Sequence, residues 1–208
     1  MNKMLRENFG DIDIYLFDQI QKGRFSPWMK ILDAGCGGGR NIVWLMRNGL
    51  DVFAIDRDED AIGVVRQLAK RLAPELSLEN FQMASLESIP FPDEMFDWVL
   101  CNAVLHFAND RGQFDRMLAE QWRVLKPGGM FFARLASSIG IEKLLVPPSN
   151  GRFLMPDGSE RFIVDEQILR HATATVGGRF IEPIKTTNVE NLRCMTTWVL
   201  VKDSTSQR

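Results

Sequence analysis

From Lys30 onward, short apolar runs alternate with stretches whose apolar positions recur every three or four residues. That alternation is the pattern of βα units in a largely parallel sheet. Ile31-Leu32 opens a first strand. Residues 35–39 are too rich in glycine to continue it, and 41–48 resumes as a helix with Ile42, Leu45 and Met46 on one face and Asn48-Gly49 as its stop. Residues 51–55 make the second strand. Asp58 is placed to cap the next helix, with Glu59 and Asp60 in the first turn where the helix dipole favours them; Ile62, Val65, Leu68 and Leu72 form its apolar face and Pro74 ends it. Further strands are predicted over 76–83, 96–101 and, after the turn Lys126-Pro127-Gly128-Gly129, over 130–135. Between the last two, Asp110 caps a helix carrying Phe114, Met117, Leu118, Trp122 and Leu125 at helical spacing.

On either side of this region the pattern changes. Phe9, Ile12, Leu16 and Ile20 share one face of a predicted N-terminal helix. After Ala136 the chain becomes loop-rich, with Pro147-Pro148 and two turn signals, Asn150-Gly151 and Asp157-Gly158. Asp165 then caps a last helix, and the runs 179–189 and 191–202 are spaced for an antiparallel hairpin. Without internal repeats or a Gly/Ser linker, residues 1–202 read as a single α/β domain. Its parts are an N-terminal cover helix (1–29), a βα half (30–136), an insertion (137–163) and a helix with the closing hairpin (164–202), followed by a polar tail at 203–208 expected to be disordered.

Composition narrows the partners. The chain has 208 residues, 45% of them hydrophobic, which is enough for a sizeable core. With 25 basic against 27 acidic residues it has no global nucleic-acid footprint, and the stretch 137–171, with four basic and five acidic residues, is itself slightly acidic. The most apolar stretch, 95–108, is interrupted by Asp97, Asn102 and His106, so no membrane association is expected. Arg6, Glu7, Asp11 and Asp13 break up any apolar leader at the start. Cys36, Cys101 and Cys194 are odd in number and lack metal or redox spacing, so they read as reduced thiols of a cytoplasmic protein with no metal site.

The residues richest in chemistry are Ile31-Leu32-Asp33-Ala34-Gly35-Cys36-Gly37-Gly38-Gly39-Arg40-Asn41, a strand ending in an acid, then a glycine turn, then a helix start. Glycine accepts positive φ and has no side chain, so backbone N–H groups in such a turn approach a ligand closely. The dinucleotide fingerprint needs a third glycine where Arg40 stands, so a nicotinamide cofactor is excluded at that step. The second strand ends in Asp56, 21 residues after Gly35, where a carboxylate accepts both ribose hydroxyls of a nucleoside or begins the next helix.

The D-x-G-x-G-x-G loop (Asp33, Gly35, Gly37, Gly39) resembles that of class I S-adenosylmethionine-dependent methyltransferases, and the run from Ala84 to Asp97 is similar to a further stretch of that family. The resemblance implies a seven-stranded, mostly parallel Rossmann-like sheet with one antiparallel strand in the C-terminal hairpin and helices on both faces. It implies S-adenosylmethionine as cofactor and S-adenosylhomocysteine as product. Asp33, Gly35, Cys36, Gly37, Gly39, Asp56, Arg57, Ser85, Leu86 and Asn102 become the candidate cofactor residues. Ser85 replaces the aspartate that the family commonly sets against the adenine amino group, so only a hydroxyl and the Leu86 backbone remain there. The ends of the chain, 9–24 and 195–202, are also similar to methyltransferases grouped with tellurite-resistance proteins.

His106 follows the fourth strand, where ligands of open α/β sheets collect, as a candidate base, a pocket wall or a packing residue. Residues 102–105 lack the proline and aromatic clamp of exocyclic-amine DNA methyltransferases. Tyr15 is a lid candidate or core, Lys22 and Arg24 are carboxylate partners or solvated, and His171 is structural. Leu144, Leu145, Val146, Phe153, Leu154 and Met155 either line an acceptor site or bury themselves on the sheet. A methyltransferase acting on a small molecule, monomeric or homodimeric, is therefore expected. An RNA methyltransferase and a nonenzymatic cofactor-binding regulator are the alternatives.

Overall fold

The computed structural model describes residues 2–146 and 151–204; the expected Pro147-Pro148 break, Asn150 and the last four residues lie outside that range. Two helices precede the sheet, α1 (Asn2–Phe9) and α2 (Ile14–Gln21), where the apolar period predicts a single cover helix. Gly10 at φ 63° breaks the first, and Asp13 starts the second by accepting the Tyr15 N–H at 2.9 Å.

The main sheet runs through β1 (Lys30–Ala34), β2 (Asp51–Asp56), β3 (Phe81–Met83), β4 (Phe96–Asn102) and β5 (Leu125–Ser137), all parallel, in the order β3-β2-β1-β4-β5. The helices α3 (Val43–Arg47), α4 (Glu59–Leu72) and α5 (Arg111–Val124) join successive strands. The insertion supplies a small hairpin, β6 (Phe153–Leu154) with β7 (Glu160–Arg161), and α6 (Glu166–Thr175) follows. The chain closes with β8 (Gly178–Phe180), β9 (Lys185–Val189) and β10 (Arg193–Lys202). β10 lies antiparallel to β5, and β8 and β9 occupy successive lengths of its other edge. The result is a mostly parallel sheet with one antiparallel strand, as the family resemblance implies. No helix among the described residues is long and apolar enough to cross a membrane.

Three elements differ from the sequence pattern for local reasons. The third strand is only 81–83, because Ser77 caps a 3-10 turn at Leu78–Asn80 through the Glu79 N–H. Leu125 belongs to β5 and not to α5; the Lys126–Gly129 turn lies within the strand as an irregularity, with Gly128 at φ 76° and a register shift opposite Phe96 to Trp98. The run 179–189 splits into β8 and β9 around Pro183, which cannot donate to the ladder.

Alternation along the strands gives the sheet two buried faces. Leu32, Val99, Phe131 and Trp198 point to the face covered by α5 and α6, whereas Ile31, Leu100, Phe132 and Val199 point to that of α2, α3 and α4. Each face buries one tryptophan whose indole N–H has a partner: Trp98 donates to the Arg24 carbonyl at 3.1 Å and Trp198 to Thr173 Oγ1 at 3.0 Å.

Candidate functional site

The carboxyl ends of β1, β2 and β4 converge on a cleft of about 360 Å³. Gly35, Gly37, Asp56, Arg57, Ser85, Leu86 and Asn102 line it. A larger groove of about 580 Å³ lies between α5 and α6, includes His171, and contains none of the candidate cofactor residues.

The glycine turn follows from what its three glycines would meet. Gly35, Gly37 and Gly39 all have positive φ, at 82°, 49° and 77°. A Cβ on Gly35 would stand 2.5 Å from Val104 Cγ2, and one on Gly39 would press Val65 and Leu68 of α4 at 3.1 Å, whereas one on Gly37 would meet nothing within 4 Å. Thus Gly35 and Gly39 allow close packing, and Gly37 leaves its backbone open to the cleft. Asp56 braces the turn, its Oδ2 accepting the Gly37 N–H at 2.8 Å and its Oδ1 the Asp58 N–H at 3.1 Å.

Asp33 stands behind this turn and does not line the cleft wall. It is 1% exposed, and neither carboxylate oxygen has a hydrogen-bond partner. Burial raises its pKa to about 7, with Asp56 adding to the rise and the Arg40 guanidinium opposing it. Asn102 is also buried: Oδ1 accepts from Arg40 at 3.1 Å, and Nδ2 has no partner. An unpaired buried carboxylate and an unpaired buried amide N–H suit a ligand carrying both a cation and an acceptor, as the amino-acid end of S-adenosylmethionine does. Cys36 departs from its expected place: its side chain packs into the core and burial pushes its thiol pKa up.

Several residues of the site carry no motif. Ala103 takes φ 63° just after β4, held there by its N–H to the Arg134 carbonyl at 2.7 Å. Val104, Phe107, Gln113 and Met117 complete the cleft wall. Their signal in the sequence is only position, just after the fourth strand and on the helix beyond it.

His106 faces away from the cleft, into an adjoining pocket of about 230 Å³ that shares Ala103 with it. Its Nδ1 accepts the Ala136 N–H at 3.3 Å, so Nε2 carries the proton of the neutral ring. Burial, with Arg161 nearby, lowers its pKa to about 4. The unfolded chain then binds a proton that the folded one refuses between about pH 6.5 and 4, so His106 removes stability as pH falls through that window. Urea titrations at pH 7 and 5 should show wild type losing about 2 kcal/mol more than His106→Gln over the interval. Equal losses would place the imidazole in water.

The cover helix is tied down at both ends. Tyr15 Oη shares a 2.7 Å hydrogen bond with Thr187 Oγ1, and Arg134 pairs with buried Asp13 at 2.8 Å. Lys22 and Arg24 both reach Glu182, at 2.7 and 2.8 Å. Burial works against ionisation of Glu182, but its bonds from Lys22 and Lys185 hold its pKa down to about 2.

Residues 32–133 match the model of the methyltransferase domain. These residues form a methyltransferase domain of the class I S-adenosylmethionine-dependent type. It is 36% identical over 140 residues to the uncharacterised methyltransferase YodH of Bacillus subtilis, which covers 65% of this chain and 54% of that protein. It is 28% identical over 158 residues to a malonyl-[acyl-carrier protein] O-methyltransferase of Pseudescherichia vulneris, 74% of this chain and 57% of that one. The chain thus spans little more than half the length of these curated relatives. The solved 1,6-didemethyltoxoflavin-N1-methyltransferase of Burkholderia thailandensis, with its substrate and S-adenosylhomocysteine bound, superposes with a TM-score of 0.69 at 17% identity, covering 98% of this chain and 83% of that one. The narrower likeness to tellurite-resistance proteins, expected from 9–24 and 195–202, lies outside 32–133 and is not shown by this match.

Proposed function

We propose that this protein transfers a methyl group from S-adenosylmethionine to a small-molecule acceptor. The observation that carries the reading is Asp33, a buried carboxylate with two unpaired oxygens behind a glycine turn that is open at Gly37. When bound, the cofactor supplies an electrophilic methyl on a positively charged sulfonium.

Asp33 would hold the cofactor's ammonium, and Asn102 Nδ2 would donate to its carboxylate. Asp56 would take the ribose hydroxyls, while the Ser85 hydroxyl and the Leu86 backbone meet the adenine edge. Asp56, Asp58 and Glu87 outnumber Arg57 among the charged groups of the cleft, a balance that favours a positively charged ligand. Catalysis then rests on alignment and exclusion of water. His106 serves as a wall and an Nε2–H donor, since its Nδ1 lone pair is already engaged and its low pKa makes it a weak base. The small size of the adjoining pocket supports a small acceptor.

Incubation with methyl-labelled S-adenosylmethionine and fractionated cell extract should place label in the low-molecular-mass fraction. Label in RNA would replace this reading with RNA methylation, and tight cofactor binding without transfer to any fraction would favour a regulator. Within the cofactor site, Asp56→Ala should weaken S-adenosylhomocysteine binding more than Ser85→Ala. A single neutral hydrogen bond contributes about 0.5–1.5 kcal/mol, whereas Asp56 would make two charge-assisted bonds and also brace the turn. Isothermal titration giving the reverse order would displace Asp56 from the ribose.

A further inference from the structure

We propose that the pocket beside the cofactor cleft binds a carboxylate carrying a short apolar body, and that this carboxylate is the group methylated. The inference rests on the methyltransferase reading above and names the acceptor class of the same site.

Three arginines from separate elements line this pocket: Arg134 of β5, Arg161 of β7 and Arg193 of β10. Asp157 lines the pocket beside Arg161 and Arg193, and Asp13 pairs with Arg134, leaving one positive charge in excess among these five groups. Arg161 lies with its guanidinium carbon 4.8 Å from the centre of the Phe107 ring, and Phe107 lines the cofactor cleft. A cationic fork therefore stands at the boundary between the two cavities, where an oxygen nucleophile must lie. The planar fork of arginine suits bidentate binding of a carboxylate. Met155, Met195 and Ala136 supply an apolar wall for the rest of the acceptor.

The titratable groups of the pocket are poorly suited to act as a base. An alcohol or an ammonium must lose a proton when it is methylated. His106 spends Nδ1 on the Ala136 N–H and presents a donor, and burial makes it a weak base. Asp157 accepts from both the N–H and the hydroxyl of Ser159; these bonds, with Arg193 and Arg161 nearby, lower its pKa. A carboxylate is already ionised at neutral pH and needs no base. One of its oxygens forms the new O–C bond to the methyl carbon, the C–S bond breaks with its electron pair staying on sulfur, and no proton moves. Nε2–H of His106 and the guanidiniums hold the oxygens meanwhile.

The test has two arms. With the protein saturated by S-adenosylhomocysteine, hexanoate and its neutral isostere hexanamide are titrated calorimetrically. Hexanoate should bind at least about tenfold tighter, and Arg161→Gln and Arg193→Gln should each remove most of that preference while leaving S-adenosylhomocysteine affinity within about twofold. In the second arm, label transferred from S-adenosylmethionine to the anionic small molecules of an extract should be released by mild alkali as volatile methanol, as a methyl ester requires. Acid and amide binding alike, absence of hexanoate binding included, overturns the proposal, and so does label that survives alkali. Failure of S-adenosylhomocysteine to bind at all would instead strike the methyltransferase reading.

Discussion

Asp33→Asn should make the ligand-free protein more stable at pH 8 while nearly abolishing cofactor binding. The folded carboxyl has a pKa of about 7 against a model value of 3.8, with burial the main cause. A difference of about three pH units amounts to about 4 kcal/mol of destabilisation once both folded and unfolded chains carry the charge. As pH falls from about 7 to 4 the folded protein takes up the proton first and the penalty fades; below about 4 both forms are protonated and it is gone. Asparagine removes the charge but leaves an unpaired buried amide, worth about 1–3 kcal/mol, so the net gain at pH 8 is about 1–3 kcal/mol and vanishes by about pH 5. For a chain of this length that is a rise of several degrees in Tm, at about 2–4 °C per kcal/mol. Removing one partner of a buried ion pair is worth about 3–5 kcal/mol, so S-adenosylhomocysteine affinity should fall by about two to four orders of magnitude. A variant less stable than wild type at pH 8 and unchanged in affinity would remove Asp33 from the site.

Gly35→Ala should be the most damaging single methyl added to the glycine turn. The residue sits at φ 82°, where a side chain is strained by about 1–2 kcal/mol, and its new Cβ would stand 2.5 Å from Val104 Cγ2 and 2.9 Å from Cγ1. Overpacking of that kind adds about 1–3 kcal/mol, so a loss of about 2–5 kcal/mol is expected in urea titrations. Gly37→Ala bears only the backbone strain, because nothing lies within 4 Å of its added Cβ. In a double-mutant cycle, Val104→Ala should recover the steric part of the Gly35→Ala loss and leave the strain. Equal losses at positions 35 and 37 would show that Val104 does not pack over the turn.

The cofactor half was legible because its constraints are local. A strand ending in Asp33, a turn needing glycine at 35, 37 and 39, and a strand ending in Asp56 each declare themselves within a few residues, as do the caps at Asp58, Asp110 and Asp165. The fold departs from the sequence pattern where side chains reorganise the backbone. Ser77 converted the start of a predicted strand into a 3-10 turn, Gly10 with Asp13 divided the cover helix, and Pro183 divided the strand 179–189. The acceptor pocket was hidden for another reason. Arg134, Arg161 and Arg193 are separated in sequence and line one pocket because β10 lies against β5 and the β6–β7 hairpin of the insertion lies beside them. The stretch 137–171, slightly acidic as a whole, carries no sign of a cationic pocket.

A buried, unpaired Asp33 would anchor the cofactor's ammonium. This anchoring is tested most directly by calorimetric titration of S-adenosylhomocysteine into wild type and Asp33→Asn between pH 5.5 and 8. Because the bound ammonium requires an ionised Asp33, wild-type affinity should weaken by about tenfold per pH unit below pH 7, with about one proton released on binding at pH 6, and the weak residual binding of Asp33→Asn should be flat across the same range. Wild-type affinity independent of pH, or no saturable binding at all, would contradict the account.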